Sequence, residues 1–515
     1  MKLSAKSADI STSGPAAVMN DEDCLKLGVD VNDRIRITGT RSVVSSLMIS
    51  DSVVTKGSIV MPGSLLRRCG AYSGDEVEVQ YSPLPESVRS IKKKINGHML
   101  TDEEIASIVT DIQNENLSEK EILAFVSAFN VNNADIREIA ALTRAMADTG
   151  SHLDLGKDRL FDFHSLGGVP GNKITPIVVS IAAASGLIIP KMSSRAISSA
   201  CGTSDYVDTF CDVEMEPDDL KAAIDAVGGL FICGNEGYAP VGKKIIAAEK
   251  PMGIDPRPTM MASIMSKKVA LGITDLVIDI PTGDGSKIPD LEIAREYARD
   301  MIRLGKELGI QVQCAVTRAD QPIGHCIGPI LEARECIGIL EDGVTEGSVA
   351  DKACGMAGLI LDLSGSEDGY AQAKETISSG KAYRKFLEIV GVQNGSPELK
   401  AKDLLPGRFV RDIHATRSGY VQFIDNPSIV AIARGAGAPE DAGAGIELLH
   451  RRGDRVEQGE TLFRIYAENQ AKLDRAVDSA RSRRPMKVED SYIPPSSDRM
   501  IVESVKVNNI SHAGH

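Results

Sequence analysis

Residues 161–193 read FDFHSLGGVPGNKITPIVVSIAAASGLIIPKMS. A short apolar opening meets a turn built on Gly167, Gly168 and Gly171. The apolar run KITPIVVSIAAASG, of helical length, follows, and a second apolar run, GLIIPKMS, ends in a hydroxyl residue. The order is strand, glycine turn, helix, strand. Glycine loses more backbone entropy on folding than any other residue, so three of them imply that bare backbone is needed there. A glycine turn leading into a helix exposes backbone N–H groups, and the helix N-terminus favours an anion. A tight turn with no ligand would read the same way. The stretch is neither a P-loop nor a G-x-G-x-x-G fingerprint.

The same texture runs outward from this stretch to about residue 340. GGLFICGN (228–235), TDLVIDIPTGDGSK (274–287) and GIQVQCAVT (309–317) are apolar runs separated by helical segments such as 217–227 and 291–308. Such alternation predicts a mostly parallel sheet covered by helices, and ligands of such folds bind beyond the carboxyl ends of the strands. Upstream, residues 25–82 alternate apolar and polar in DRIRIT, SSLMIS, GSIVMP and DEVEVQYS, the pattern of short strands. SPLPES (82–87) breaks that pattern as a linker. Residues 86–150 read as helices, with TDEE at Thr101 and SEKE at Ser118 matching the capping box. Downstream, about 410–482 carries glycine-rich turns in RGAGAPEDAGAG and RRGDRVEQGE and reads as a small α+β unit. No internal repeat is present. The expectation is a multidomain α/β protein: an N-terminal β domain (1–84), a helical domain (85–160), a central α/β phosphate- and nucleotide-binding domain (161–409), a C-terminal α+β domain (410–482) and a polar tail (483–515).

At 515 residues the chain is too long for one core. Aromatic residues make up 4 % and Trp is absent, so the cores must be aliphatic. A net charge of −14 argues against a nucleic-acid polymer as partner, which needs a basic face. It leaves room for a small anionic substrate held by local basic groups. Nine cysteines stand singly with no CxxC pair, which excludes a disulfide scaffold and shows no zinc-ligand spacing. The N-terminal segment has no signal-peptide core, and no run approaches the roughly 20 apolar residues of a membrane span. A reduced, cytoplasmic location without membrane contact is expected.

Three further loops carry candidate chemistry. KMSSRAISSACGTSD (191–205) follows an apolar run and concentrates hydroxyls around Arg195, a composition suited to phosphate or sugar. A solvated loop capping the next helix is its plainer reading. GIDPRPTMMASIMSKK (253–268) sets Asp255 before two prolines; Asp255 is a general acid or a helix cap. On a helix, Ser263 and Lys267 there would share one face. IDIPTGDGSKIPD (278–290) is another strand-to-glycine exit carrying Lys287, a point charge for phosphate or an ordinary surface lysine. His325, in HCIG, reads as a buried histidine with a satisfied hydrogen bond.

FHSLGGVPGN, MSSRAISSACGT, IDPRPTMMASIMSKK and IDIPTGDGSK occur in the order and spacing of the pyrimidine/thymidine phosphorylase family. The chain looks most like that family's longer branch, the AMP phosphorylases of archaeal nucleotide metabolism, along its whole length. The resemblance implies a fold shared with anthranilate phosphoribosyltransferase. It implies phosphorolysis of AMP to adenine and ribose 1,5-bisphosphate, with CMP and UMP as further substrates. It assigns Asp255 as proton donor. As substrate contacts it assigns Gly168, the segment Ser194, Arg195, Ala196, Ile197, Ser198 and Ser199, then Thr203, Ser263 and Lys287. It implies a homodimer or larger homo-oligomer and calls for no metal or cofactor. Two positions depart from the nucleoside-specific pattern. Phe163 stands where a phosphate lysine precedes the HS pair, with Lys173, Arg195 and Lys287 as candidate replacements. Ala248, Glu249 and Lys250 stand where a base-reading arginine is expected. The rival readings are a thymidine or pyrimidine nucleoside phosphorylase, a magnesium-dependent phosphoribosyltransferase, and a non-catalytic nucleotide-binding scaffold.

Overall fold

The computed structural model describes residues 1–8, 16–196, 199–234, 237–494 and 499–506. Two compact units emerge: Met1–Ser151 with Glu236–Ser266, and His152–Asn235 with Lys267–His515. In the first unit the alternating segments become β1 (Lys2–Ala8), β2 (Ala16–Met19), β3 (Arg34–Thr38), β4 (Ser42–Ile49), β5 (Ser58–Pro62) and β6 (Glu76–Tyr81). They close into a barrel of order β1-β5-β2-β4-β3-β6. Every second residue turns inward, so Leu3, Ala5, Ile35, Ile37, Ile59, Met61, Val77 and Val79 fill it with aliphatic side chains. Closure leaves no sheet edge to pair with another chain.

Helices Ser87–Ile95, Asp102–Gln113, Glu119–Val131 and Ile136–Ala147 follow in the same unit. Both capping boxes form: Thr101 with Glu104, and Ser118 with Glu121. A third closes between Asp135 and Glu138, and Glu138 also receives the buried ammonium of Lys94 at 2.6 Å and the Leu100 amide at 2.9 Å. The sequence division had placed 236–266 in the α/β domain, whereas the structure packs this stretch in the first unit. Helix Val241–Glu249 lies on the helices Asp102–Gln113 and Glu119–Val131, burying Val241 and Ile245. Lys244 donates to the Gln113 carbonyl at 2.6 Å, supplying a partner for an open helix end.

In the second unit, the parallel strands are β7 (Phe161–Ser165), β8 (Ile189–Ser193), β9 (Gly229–Cys233), β10 (Asp275–Thr282) and β11 (Gln311–Arg318). β7, β10 and β11 form one sheet, with Asp279 opposite Ser165 on one side and Ala315 on the other. β8 and β9 pair separately, and the Phe161 amide bonds the Ile188 carbonyl at 2.9 Å, laying β7 beside β8. β10 is buried along nearly its whole length, as a parallel strand covered on both faces must be. Towards the C-terminus come β12 (Cys326–Ile327), β13 (Phe409–His414), β14 (Gly419–Ile424), β15 (Gly445–Leu448), β16 (Arg455–Val456), β17 (Thr461–Ala467), β18 (Met486–Glu489) and β19 (Ile501–Val505). Two antiparallel sheets, β12-β15-β17-β13 and β16-β14-β18, pack with helices Asn426–Ala436 and Gln470–Arg483 around Ile429, Ile432, Ile446, Phe463 and Ile465.

The stretch 483–515 is not only a polar tail. β18 extends the second of these sheets, and β19 pairs antiparallel with β11, completing the order β19-β11-β10-β7. Two features seat β19. Gly355 leaves room for Ile501, whose Cδ1 would stand 2.3 Å from a methyl group at position 355, and Arg295 binds the Glu503 carboxylate at 2.8 Å. All nine cysteines are free. Among the described residues, no helix is long and apolar enough to cross a membrane.

Candidate active site

At the carboxyl end of β7 the backbone enters the glycine turn. The Leu166 amide bonds the Asp279 carbonyl at 2.8 Å, and Gly167 takes φ 87°. Gly171 takes φ 76°, and a methyl group there would stand 2.3 Å from the Ile323 carbonyl oxygen, so only glycine fits. Gly168 is exposed, and a methyl group on it would lie 3.6 Å from Cβ of Ser199. One on Gly167 would lie 3.1 Å from Cβ of Lys287. The structure thus brings the glycine turn, Ser199 and Lys287 together. Ser165, just before the turn, donates to Asp279 Oδ2 at 2.6 Å and accepts from Asn172 at 3.2 Å. Asp279 is fully buried and also holds Lys352 at 2.8 Å and Thr317 at 2.5 Å. A carboxylate inside an apolar strand is retained only when its charge is met, and here it fixes the turn from below.

The second loop leaves β8 at Ser193. Asp205 accepts the amides of Ala196 and Gly202, both at 2.8 Å, which pulls the segment into a tight bend ahead of Thr203. Ser193 and Ser204 share a hydrogen bond of 3.0 Å, and Ser199 donates to the Cys201 carbonyl at 3.1 Å. Arg195 is ringed by Asp208 at 2.9 Å, Glu214 at 3.2 Å and Asp205 at 3.8 Å. Its charge is therefore largely met by protein carboxylates. Ile197 and Ser198 lie outside the described residues. Lys173, a candidate replacement for a phosphate lysine, is fully buried, bonded to the Ile323 carbonyl at 2.8 Å and to Glu335 at 2.9 Å; its place is in the interior.

Asp255 and Ser263 belong to the first unit. Asp255 is exposed, two residues before helix Arg257–Ala270, and Ser263 is half-buried on that helix. His325 is exposed rather than buried: β12 starts beside it at the surface, though its Nδ1 lies 2.9 Å from the Leu448 carbonyl. A cavity of about 750 Å³ in the second unit is lined by Arg318, Asp320, Arg451 and Arg452, and of the residues singled out in the sequence His325 borders it.

Charge beneath the turn is arranged around Asp162, which binds Lys268 at 2.5 Å and lies 3.4 Å from Lys191. Burial, then the nearby charges of Lys268, Lys191 and Lys267, hold the half-buried His164 well below the ordinary histidine value, so its ring is neutral at neutral pH. Sequence reasoning missed Asp162, Asp279 and Lys191. The signal was an ionisable residue inside an apolar run, in FDFH, VIDIP and LIIPKMS, where burial demands a partner.

Comparison with known proteins gives three matches to family profiles. Residues 88–150 match the glycosyl transferase family helical bundle domain, and residues 157–383 that family's a/b domain. Residues 420–487 match the pyrimidine nucleoside phosphorylase C-terminal domain. The chain is 44 % identical over 494 residues to a protein of Thermococcus kodakarensis named AMP phosphorylase, covering 95 % of this chain and 98 % of the relative. It is 46 % identical over 476 residues to the Pyrococcus abyssi protein of the same name, covering 92 % and 94 %. Among solved structures, anthranilate phosphoribosyltransferase from Thermus thermophilus aligns with TM-score 0.51 at 20 % identity, covering 59 % of this chain and 99 % of that one. This last likeness concerns the fold.

Proposed function

The chain belongs to the AMP phosphorylase family, and from that membership we infer that it cleaves the N-glycosidic bond of AMP with inorganic phosphate. A phosphate oxygen attacks C1′ of the ribose. The C1′–N9 bond breaks, its electron pair passes to the base, and adenine and ribose 1,5-bisphosphate are released. The transition state has oxocarbenium character, so an anion held beside the ring stabilises it. Adenine leaves poorly as an anion, and protonation at N7 assists it. We assign that proton to Asp255.

Substrate contacts are assigned to Gly168, the segment 194–199, Thr203, Ser263 and Lys287. The observation that carries the reading is the glycine turn at the end of β7, pinned through Ser165 to Asp279 and lying against Ser199 and Lys287. CMP and UMP are proposed as further substrates, the assembly as a homo-oligomer, and the location as the cytoplasm. Incubation with AMP and phosphate, followed by chromatography, tests the reaction: free adenine must appear only when phosphate is present. No release of base from any nucleotide or nucleoside would leave a binding protein in its place.

A further inference from the structure

β8 carries a lysine among buried neighbours. Lys191 is 4 % exposed, and a strand buried on both faces has no use for an ammonium group unless something meets its charge. Its Nζ donates to the Met192 carbonyl at 2.9 Å and lies 4.8 Å from the centroid of the Phe163 ring. The nearest carboxylate is Asp162, at 3.4 Å, and that group is already engaged by Lys268 at 2.5 Å and by the Phe163 amide at 2.7 Å. One carboxylate therefore serves two buried ammonium groups, and Lys267 adds positive charge to the same surroundings. The helix Thr175–Ala184 and strand β9, which pack on β8, bring no ionisable side chain except Cys233, and β7, also against β8, adds His164 beside Asp162. Among the described residues, Lys191 and Lys268 share this one carboxylate. Burial lowers Lys191 to about 7, and Lys268 and Lys267 reinforce this against the opposing pull of Asp162.

Lys191 stands two residues before β8 ends at Ser193. β7 and β8 run side by side and release their carboxyl ends into the glycine turn and the hydroxyl-rich loop. Phe163, on β7, offers a ring for the ammonium to rest on but no charge of its own. We propose that Lys191 is an anion-binding residue of this site, supplying the positive charge that holds a dianionic phosphate group at the ends of β7 and β8. Two sources share that chemistry, inorganic phosphate and the 5′-phosphate of the nucleotide. The proposal rests on the phosphorolysis reading for its kinetic arm only.

Lys191→Met tests it in two ways. In turnover, the KM for one phosphate source should rise about ten- to hundredfold, the loss of a charge-assisted bond. If the KM for inorganic phosphate rises and that for AMP does not, the group held is the attacking phosphate; the reverse assigns it to the nucleotide. Lys191→Arg keeps the charge and should restore most of the affinity. In thermal unfolding at a fixed phosphate or AMP concentration, the ligand whose KM rises should raise the Tm of the wild type more than that of Lys191→Met, and without ligand the Met variant should melt no lower than wild type. Equal stabilisation of wild type and variant by phosphate and by AMP, with both KM values unchanged, overturns the proposal. Should the Met variant not fold, the wild type decides alone: phosphate-induced stabilisation must weaken as Lys191 deprotonates at alkaline pH, and a pH-independent shift overturns the proposal. Failure of the wild type to release adenine would sink the reaction reading, while the thermal arm would still judge Lys191.

Discussion

Asp255→Asn keeps the shape of the side chain and removes its transferable proton. If Asp255 protonates the base, kcat falls about 10²–10⁴-fold while AMP binding persists. If it serves only as a helix cap, asparagine caps as well and activity survives. Measuring kcat and the AMP dissociation constant of the variant separates the two, and a kcat within a fewfold of wild type removes Asp255 from the mechanism. Lys191 makes a second prediction through its titration. It loses its proton at about 7 in the folded chain, whereas an unfolded lysine holds one to about 10.4. Between those values the unfolded chain binds more protons, so this residue makes folding more favourable as pH rises. Denaturant unfolding of wild type and Lys191→Met should show wild type gaining on the variant from pH 7 towards pH 10. A constant gap would show that Lys191 is charged throughout. At this scale the loops were legible in sequence, because glycine and hydroxyl clusters report local backbone needs. Asp279 and Lys191 were passed over, because the groups that meet their charge, Lys352 for Asp279 and Asp162 for Lys191, lie on other elements.

Among the elements, the helix Ile136–Ala147 shows how much one side chain can tie together. Glu138 closes its own capping box, accepts the Leu100 amide and neutralises the buried Lys94. Glu138→Ala leaves that ammonium group buried without its carboxylate, a loss of about 3–5 kcal/mol. Denaturant titration should find the first unit unfolding at markedly lower concentration, and an unchanged midpoint would mean that water replaces the carboxylate. Elements with strong local signals were legible: the capping boxes at Thr101 and Ser118, and the alternation that became β3 to β6. β19 was not. IVESV is five residues long in polar surroundings, and what makes it a strand is the open edge of β11 together with the space above Gly355. Stretch 236–266 escaped for a related reason, since its helix looks ordinary in sequence and only its packing shows which unit it joins.

For the whole molecule, two outcomes are expected. A 5′-phosphate held by two or three charge-assisted bonds should favour AMP over adenosine at least about a hundredfold in kcat/KM. Comparable values for the two substrates would point to a nucleoside enzyme. Light scattering at micromolar concentration should give a mass above that of one 54.9 kDa chain, and a monomer would remove the proposed homo-oligomer.

The pairing of β19 with β11 also sets a schedule for the chain as a ribosome makes it. β11 ends at Arg318 and β19 begins at Ile501, about 180 residues later. At roughly 5–20 residues per second, translation leaves that edge without its partner for about ten to forty seconds. An uncovered strand edge on a half-made protein invites pairing with whatever chain is near, including the next copy emerging from the same message. The cell must therefore keep nascent chains apart until β19 arrives, and a prematurely terminated product that lacks β19 is released with its edge still open.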